Sequence, residues 1–171
     1  ILQFAEEHNK TLPATVPGQS EELQWWYKDQ VKGYVGAGAE SAFACPDDRG
    51  YSDSKPFHSS ARFNSGSYVF NGVMIPGAPN IAGWPVSSIV EPKRTLLVME
   101  WAAHGPLSWH RSRTGKRNLP FYNDAECVVG FVDGHVGLTP IYYDGHTPAY
   151  LRDPIPGDRK STRLNSSHIT I

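Results

Sequence analysis

The residues that most constrain this fold are Asp133 and Gly134, which join two apolar stretches. A two-residue type I′ turn needs positive φ at both positions, which glycine adopts freely and aspartate tolerates. The dipeptide therefore predicts a β-hairpin whose register pairs Val129 with Leu138. In that register one face of the hairpin is apolar and is expected to be buried: Cys127, Val129, Phe131, Val136 and Leu138.

The composition limits the chain to a folded domain with many turns. Its 171 residues suit one domain with a core, and 16 Gly and 14 Pro argue against an all-helical bundle. The net charge of -1 gives no basic surface for nucleic acid, and the basic residues in 110–117 are expected to form a solvated loop. No apolar run in the sequence approaches the roughly 20 residues of a membrane-spanning helix.

Two short helices are predicted in the first part of the chain. Apolar residues at helical spacing predict a helix over residues 1–8, which Asn9-Lys10 should end. A second helix should begin at the N-cap Ser20 and end near Gly33, with tyrosine, tryptophan and valine side chains facing the core.

The rest of the chain predicts a sheet. Strands are expected at 67–72 and at 95–101, and the second of these is the most apolar run in the sequence and should be central. Residues 104–120 are expected to loop out of the sheet. Successive strands after two helices favour the α+β class, with an antiparallel sheet.

No common catalytic motif is present, since the sequence lacks a nucleophile elbow, a paired-histidine zinc motif and a phosphate-binding loop. Four histidines could supply ligands of a catalytic metal: His104, His110, His135 and His146. Five aspartates in turn-rich stretches could surround a structural calcium ion: Asp47, Asp48, Asp124, Asp133 and Asp144. Turn formation or capping accounts for each aspartate singly, so no cofactor is predicted.

Cys45 and Cys127 are the two cysteines of the chain. In an exported protein they could pair as a disulfide, which would stabilise the fold by roughly 4 kcal/mol. In a reducing compartment they would be buried thiols, and the sequence leaves both alternatives open.

The last fourteen residues, 158–171, are polar, basic and free of glycine and aromatic residues. They resemble the in-frame translation of a common sequencing adapter, so we exclude them from fold reasoning. Residues 1–157 then form one globular domain, and we expect the native carboxyl-terminal end to be missing from it.

Four segments, 43–48, 67–72, 89–100 and 130–136, resemble in order the landmarks of the prepilin-type, pseudopilin-like proteins of bacteria. Leu12-Pro13 after the first helix also matches. The carboxyl-terminal signature of that family is a histidine, nine residues and then Asp-Gly. Asp133, Gly134 and His135 fit the signature, whereas Asn123 stands at the histidine position.

This resemblance, which covers about residues 1–147, implies a pilin-like fold with an N-terminal helix packed on a small antiparallel sheet. It also implies an upstream leader, a prepilin-peptidase cleavage site and a single membrane-spanning helix. The domain would then be a non-catalytic structural subunit on the periplasmic or extracellular side of the inner membrane. Its partners would be other pilin-like subunits and the machinery of a type II secretion or type IV pilus-like assembly.

Two other functions compete with this one. A secreted carbohydrate-binding module would present an exposed strip of aromatic rings, for which the sequence offers Trp25, Trp26, Trp84, Trp101 and Trp109. A metal-dependent hydrolase would need three or more His, Asp or Glu side chains converging in a cleft.

Overall fold

The computed structural model describes residues 1–15, 26–36, 39–48, 66–72, 81–100, 109–112 and 125–141. Two α-helices precede the sheet, α1 (Leu2–Glu7) and α2 (Trp26–Val31). The sheet has five strands: β1 (Tyr68–Phe70), β2 (Leu96–Glu100), β3 (Arg111–Ser112), β4 (Ala125–Phe131) and β5 (Val136–Ile141). Short 3-10 helices occupy Lys32–Tyr34, Ala39–Phe43 and Val86–Ser88.

Every pair of neighbouring strands in this sheet is antiparallel, so the predicted α+β class with an antiparallel sheet is confirmed. β2 lies between β1 and β4, as its apolar sequence predicts. β4 pairs with β5 along one edge, and β2 and β3 share the other edge. The expectation that all of 104–120 loops out is wrong at 111–112, because this dipeptide pairs with the first residues of β4.

The register of the β4–β5 hairpin differs by one residue from the predicted one, since Val129 pairs with Gly137 rather than with Leu138. The turn explains the shift. Gly134 donates its N–H to the Phe131 carbonyl at 3.0 Å, and Phe131 donates to the His135 carbonyl at 2.9 Å. Only Gly134 in this turn has a positive φ, of 94°. The loop therefore has three residues and ends in a left-handed glycine, which is the G1-bulge form of a hairpin.

The shifted register changes which side chains share a face. Cys127 and Val129 are fully buried and Phe131 is 6% exposed, as predicted. Val136 and Leu138 lie on the opposite face with exposures of 67% and 52%, so their predicted burial is wrong. A single extra loop residue inverts the faces because side chains alternate along a strand.

α1 packs its apolar residues against the core and ends where the sequence predicts. Phe4 and Ala5 are buried, and Asn9 and Lys10 both adopt a left-handed backbone, with φ of 54° and 59°. The Ala5 carbonyl accepts from the His8 N–H at 3.1 Å and from the Lys10 N–H at 2.8 Å, so the chain closes over the last turn of the helix.

α2 is anchored by the residues expected to face inward. Tyr27 and Val31 are 2% and 3% exposed, and the Tyr27 hydroxyl donates to the Tyr68 carbonyl at 3.0 Å. Asp29 and Lys32 are exposed and form an ion pair at 3.1 Å. The predicted start of this helix at Ser20 lies outside the described residues.

Neither α1 nor α2 nor any 3-10 helix within the described ranges has the length and apolar character needed to cross a bilayer.

Gly134 offers a test of the hairpin geometry. Substitution Gly134→Ala should lower the free energy of unfolding by about 1–2 kcal/mol, because alanine must then adopt a left-handed backbone. The nearest heavy atom to an added Cβ is Leu2 Cδ1 at 3.5 Å, an ordinary contact, so the cost is conformational. Urea unfolding measures it.

Gly137→Ala is the matched control, since an added Cβ at Gly137 meets nothing within 4 Å and its φ is not left-handed. This variant should keep the wild-type stability to within about 0.5 kcal/mol. Equal losses in the two variants would contradict the three-residue loop.

Candidate functional site

Three side chains of different chemistry meet inside the fold: the thiol of Cys45, the carboxylate of Glu100 and the imidazole of His110. Glu100 is the last residue of β2, and His110 directly precedes β3. Cys45 lies two residues after the 3-10 helix Ala39–Phe43. Cys45 and Glu100 are fully buried, whereas the His110 side chain is 27% exposed.

The reactive atoms of these side chains point at one another. Cys45 Sγ lies 3.4 Å from His110 Nε2, and the thiol donates to Glu100 Oε1 over 3.7 Å. His110 Nε2 forms an ion pair with the same Oε1 atom. One carboxylate oxygen therefore faces both the sulfur and the ring nitrogen.

A second set of contacts orients the imidazole and the carboxylate. Asp47 Oδ2 lies 3.0 Å from His110 Nδ1, which turns the Nε2 atom toward Cys45. The backbone N–H of Val128 in β4 donates to Glu100 Oε2 at 2.9 Å. The imidazole and the carboxylate are thus each held through the atom that points away from the thiol.

The turn that contains Cys45 is tied to the sheet. Asp48 donates its N–H to the Cys45 carbonyl at 3.0 Å and accepts a hydrogen bond from the Ser67 hydroxyl at 2.7 Å. Ser67, which precedes β1, also donates its N–H to the Phe43 carbonyl at 3.1 Å. Asp48 and Ser67 are both buried, so these polar contacts are shielded from water and fix the position of the thiol.

The electrostatics of the cluster favour a positive charge next to Glu100. Hydrogen bonds with Cys45 and then with Glu100 raise the pKa of His110 to about 10, although burial opposes the shift. Burial, followed by the charge of Glu100, raises the pKa of the neighbouring Cys127 thiol. Burial and then the proximity of Cys45 and Glu100 raise the pKa of Tyr68. The imidazolium offsets a carboxylate that would otherwise be buried alone.

The structure brings one of the four proposed metal-ligating histidines into this cluster, namely His110. His135 lies in the hairpin turn instead, and His104 and His146 lie outside the described residues. Within the described residues the cluster combines one histidine and one glutamate with a buried sulfur, and Asp47 contacts the same histidine.

The aspartates proposed for calcium are engaged elsewhere where the structure describes them. Asp47 contacts His110, Asp48 accepts from Ser67, and Asp133 accepts from the ring nitrogen of its neighbour two residues on. Asp124 and Asp144 lie outside the described residues. The described aspartates do not gather around a common point with other acidic groups.

The residues that resemble the pseudopilin-like signature lie in and next to the hairpin turn. Asp133 Oδ1 accepts from the His135 backbone N–H at 3.2 Å and contacts its Nδ1 at 2.5 Å. Desolvation opposes the shift, but these hydrogen bonds hold the pKa of Asp133 below its usual value. The His135 ring stacks on Phe131 with centroids 4.2 Å apart. Asn123, at the position of the family histidine, lies outside the described residues.

Both cysteines are buried thiols in the structure, and both lie close to Glu100. The tryptophans do not form a sugar-binding strip in the part of the chain that is described. Trp109 is fully buried and Trp84 packs partly buried against the core. The Trp25, Trp26 and Trp101 side chains are outside the described set.

From the sequence, Cys45 and His110 are candidates for separate roles, and no pattern there combines them with Glu100. A signal was available, because Glu100 is a charged residue at the end of the most apolar strand of the chain. A carboxylate in that position needs a partner when it is buried.

Comparison of the chain with protein-family models, with curated proteins and with solved structures finds no match.

Removal of the Glu100 carboxylate should destabilise the fold strongly. We expect Glu100→Ala to lower the free energy of unfolding by about 3–5 kcal/mol, because it leaves a buried ion pair without its anion and the Val128 N–H without its acceptor. Denaturant unfolding measures the loss.

Glu7→Ala is the control, since the Glu7 carboxylate accepts a hydrogen bond from the Tyr34 hydroxyl at 2.8 Å but is exposed. Its loss should change stability by at most about 1 kcal/mol. If the two glutamates cost the same on removal, Glu100 does not hold the cluster together.

Proposed function

We propose that this chain is the extracytoplasmic domain of a pseudopilin-like structural subunit, in a type II secretion or type IV pilus-like assembly. The observation that supports it best is the packing of α1 onto the core beside an antiparallel sheet. In this proposal α1 continues a membrane-anchored helix, and prepilin peptidase processes the precursor. The subunit then meets its pilin-like partners on the outer side of the inner membrane.

The residues after α1 are bonded firmly to the rest of the domain. Leu12 is buried, and its N–H donates to the Trp84 carbonyl at 3.0 Å. Lys10 accepts from the Val86 N–H at 2.8 Å, and Thr11 forms a β-bridge with Pro85. Such bonds would transmit the position of an anchored helix to the whole domain.

The hairpin turn is hydrogen-bonded to the segment that precedes β2. Val132 donates its N–H to the Thr95 carbonyl at 3.0 Å, and Asp133 donates to the Pro92 carbonyl at 3.2 Å. Gly134 lies beside Leu2 of α1. The signature residues that resemble the pseudopilin-like family thus lie next to the helix through which such a subunit would assemble.

An apolar groove of about 320 Å³ lies between the helices and one face of the sheet. Its lining includes Ile1, Val35, Val128 and Val136. Val35 and Val136 are 39% and 67% exposed. Exposed apolar residues that adjoin one another are typical of contact sites. A structural subunit would use this face for contact with a neighbouring subunit.

The test expresses the complete reading frame that contains this domain in cells with and without prepilin peptidase, and measures the length of the protein product. We expect peptidase-dependent shortening of the precursor and recovery of the mature subunit with sheared filaments or with the secretion complex. Val136→Asp should lower this recovery several-fold without changing processing, because it places a charge on the apolar face.

Val90→Asp is the matched control, since Val90 is 69% exposed and does not line the groove. It should leave both processing and recovery unchanged. Release of the domain by a conventional signal peptidase, with no retained anchor, would overturn the proposed function.

A further inference from the structure

We propose that Cys45, Glu100 and His110 form a binding site for one zinc ion. This site goes beyond the structural role proposed above and does not depend on it. The three potential ligand atoms all lie within 4.8 Å of one another, and no other group of three such residues occurs in the ranges that the structure describes.

The spacing of the sulfur from the other two atoms fits a tetrahedral zinc ion. Zinc bonds of about 2.0–2.3 Å place ligand atoms about 3.3–3.8 Å apart at tetrahedral angles. Cys45 Sγ lies 3.4 Å from His110 Nε2 and 3.7 Å from Glu100 Oε1. The imidazole and the carboxylate are closer, in ion-pair contact, so the ion enters by separating these two groups.

The surrounding contacts are those of a metal centre whose ligands are oriented from behind. Asp47 Oδ2 at 3.0 Å from His110 Nδ1 leaves Nε2 as the coordinating nitrogen. Metal-bound histidines usually contact a carboxylate or carbonyl through the second ring nitrogen in this way. The Val128 N–H holds Glu100 Oε2 at 2.9 Å and presents Oε1 to the ion.

The charges of the ligands balance those of the ion. A thiolate and a carboxylate together neutralise Zn²⁺, while the imidazole binds as the neutral base. The thiol proton and the Nε2 proton leave to solvent as the ion binds. Since Cys45 and Glu100 are fully buried, a neutral complex avoids the cost of isolated buried charges. Sulfur and nitrogen ligands also favour zinc over calcium, which prefers oxygen.

Zinc at this position would join three parts of the chain: the turn after the 3-10 helix Ala39–Phe43, the end of β2 and the start of β3. Its ligands are separated by up to 65 residues in sequence. The ion would hold these segments together, and with three protein ligands its fourth tetrahedral position would be taken by water.

The test uses the full chain, freed of metal with a chelator, reloaded with zinc chloride and dialysed. We expect one zinc per chain by elemental analysis and a higher melting temperature than that of the metal-free protein. Cobalt chloride should give a thiolate-to-cobalt charge-transfer band in the near ultraviolet. Calcium chloride should leave the melting temperature unchanged.

Substitutions assign the ligands. Cys45→Ser and His110→Gln should each abolish stoichiometric zinc binding, and Cys45→Ser should also remove the cobalt charge-transfer band. His135→Gln is matched to His110→Gln because His135 also contacts an aspartate but lies in the hairpin turn; this variant should keep its zinc. Asp47→Ala should weaken zinc binding about 10- to 100-fold and keep the cobalt band, as expected for a positioning residue.

Three results would overturn the proposal. The first is the absence of a thiolate–cobalt band in the wild-type protein, which needs no variant to fold. The second is full zinc retention by Cys45→Ser or by His110→Gln. The third is a disulfide between Cys45 and Cys127 in protein purified without reductant, because it would remove the thiolate ligand.

Discussion

The carboxylate of Glu100 is the interaction on which the centre of this domain depends. β2 pairs with β4 as far as Met99, and the next N–H along β4, that of Val128, donates to a Glu100 oxygen. The other oxygen of the same carboxylate faces Cys45 and His110. The Glu100 side chain thus accepts a hydrogen bond from the β4 N–H that lies between the segments paired with β2 and β3. Its other oxygen contacts the thiol and the imidazole. A buried carboxylate is stable only where several donors surround it.

The short strand β3 positions the histidine of this cluster. It pairs with the beginning of β4 through two residues, and this pairing places His110 against the end of β2. Trp109, which is fully buried, anchors the chain just before the histidine. The cluster therefore takes Glu100 from the sheet, His110 from the residue before β3 and Cys45 from a turn.

The outer surface of the domain has a different character. The hairpin register exposes Val136 and Leu138 on the sheet face that borders the apolar groove, while its other face buries Cys127 and Val129. The same local geometry therefore buries apolar side chains on one face of the hairpin and exposes them on the other. In the proposed assembly, this exposed face would contact a neighbouring subunit.

Local patterns in the sequence were sufficient to predict several elements. The most apolar run is the central strand, Asn9-Lys10 ends the first helix, and Tyr27 and Val31 face the core. These features depend on neighbours within a few positions along the chain, where backbone preference and side-chain periodicity act directly. The antiparallel α+β class follows from the order of such elements.

The tertiary structure alone decided the hairpin register and the buried cluster. Asp-Gly is compatible with a two-residue turn and with a three-residue loop, and the contacts of Val132 and Asp133 with residues 92–95 accompany the longer one. The cluster joins residues 55 and 65 positions apart, so no local pattern relates them. By itself the sequence determined the elements and the face each helix buries, because these depend on local preference. Which distant side chains meet depends on how strands pair, and pairing is decided by the packing of the whole domain.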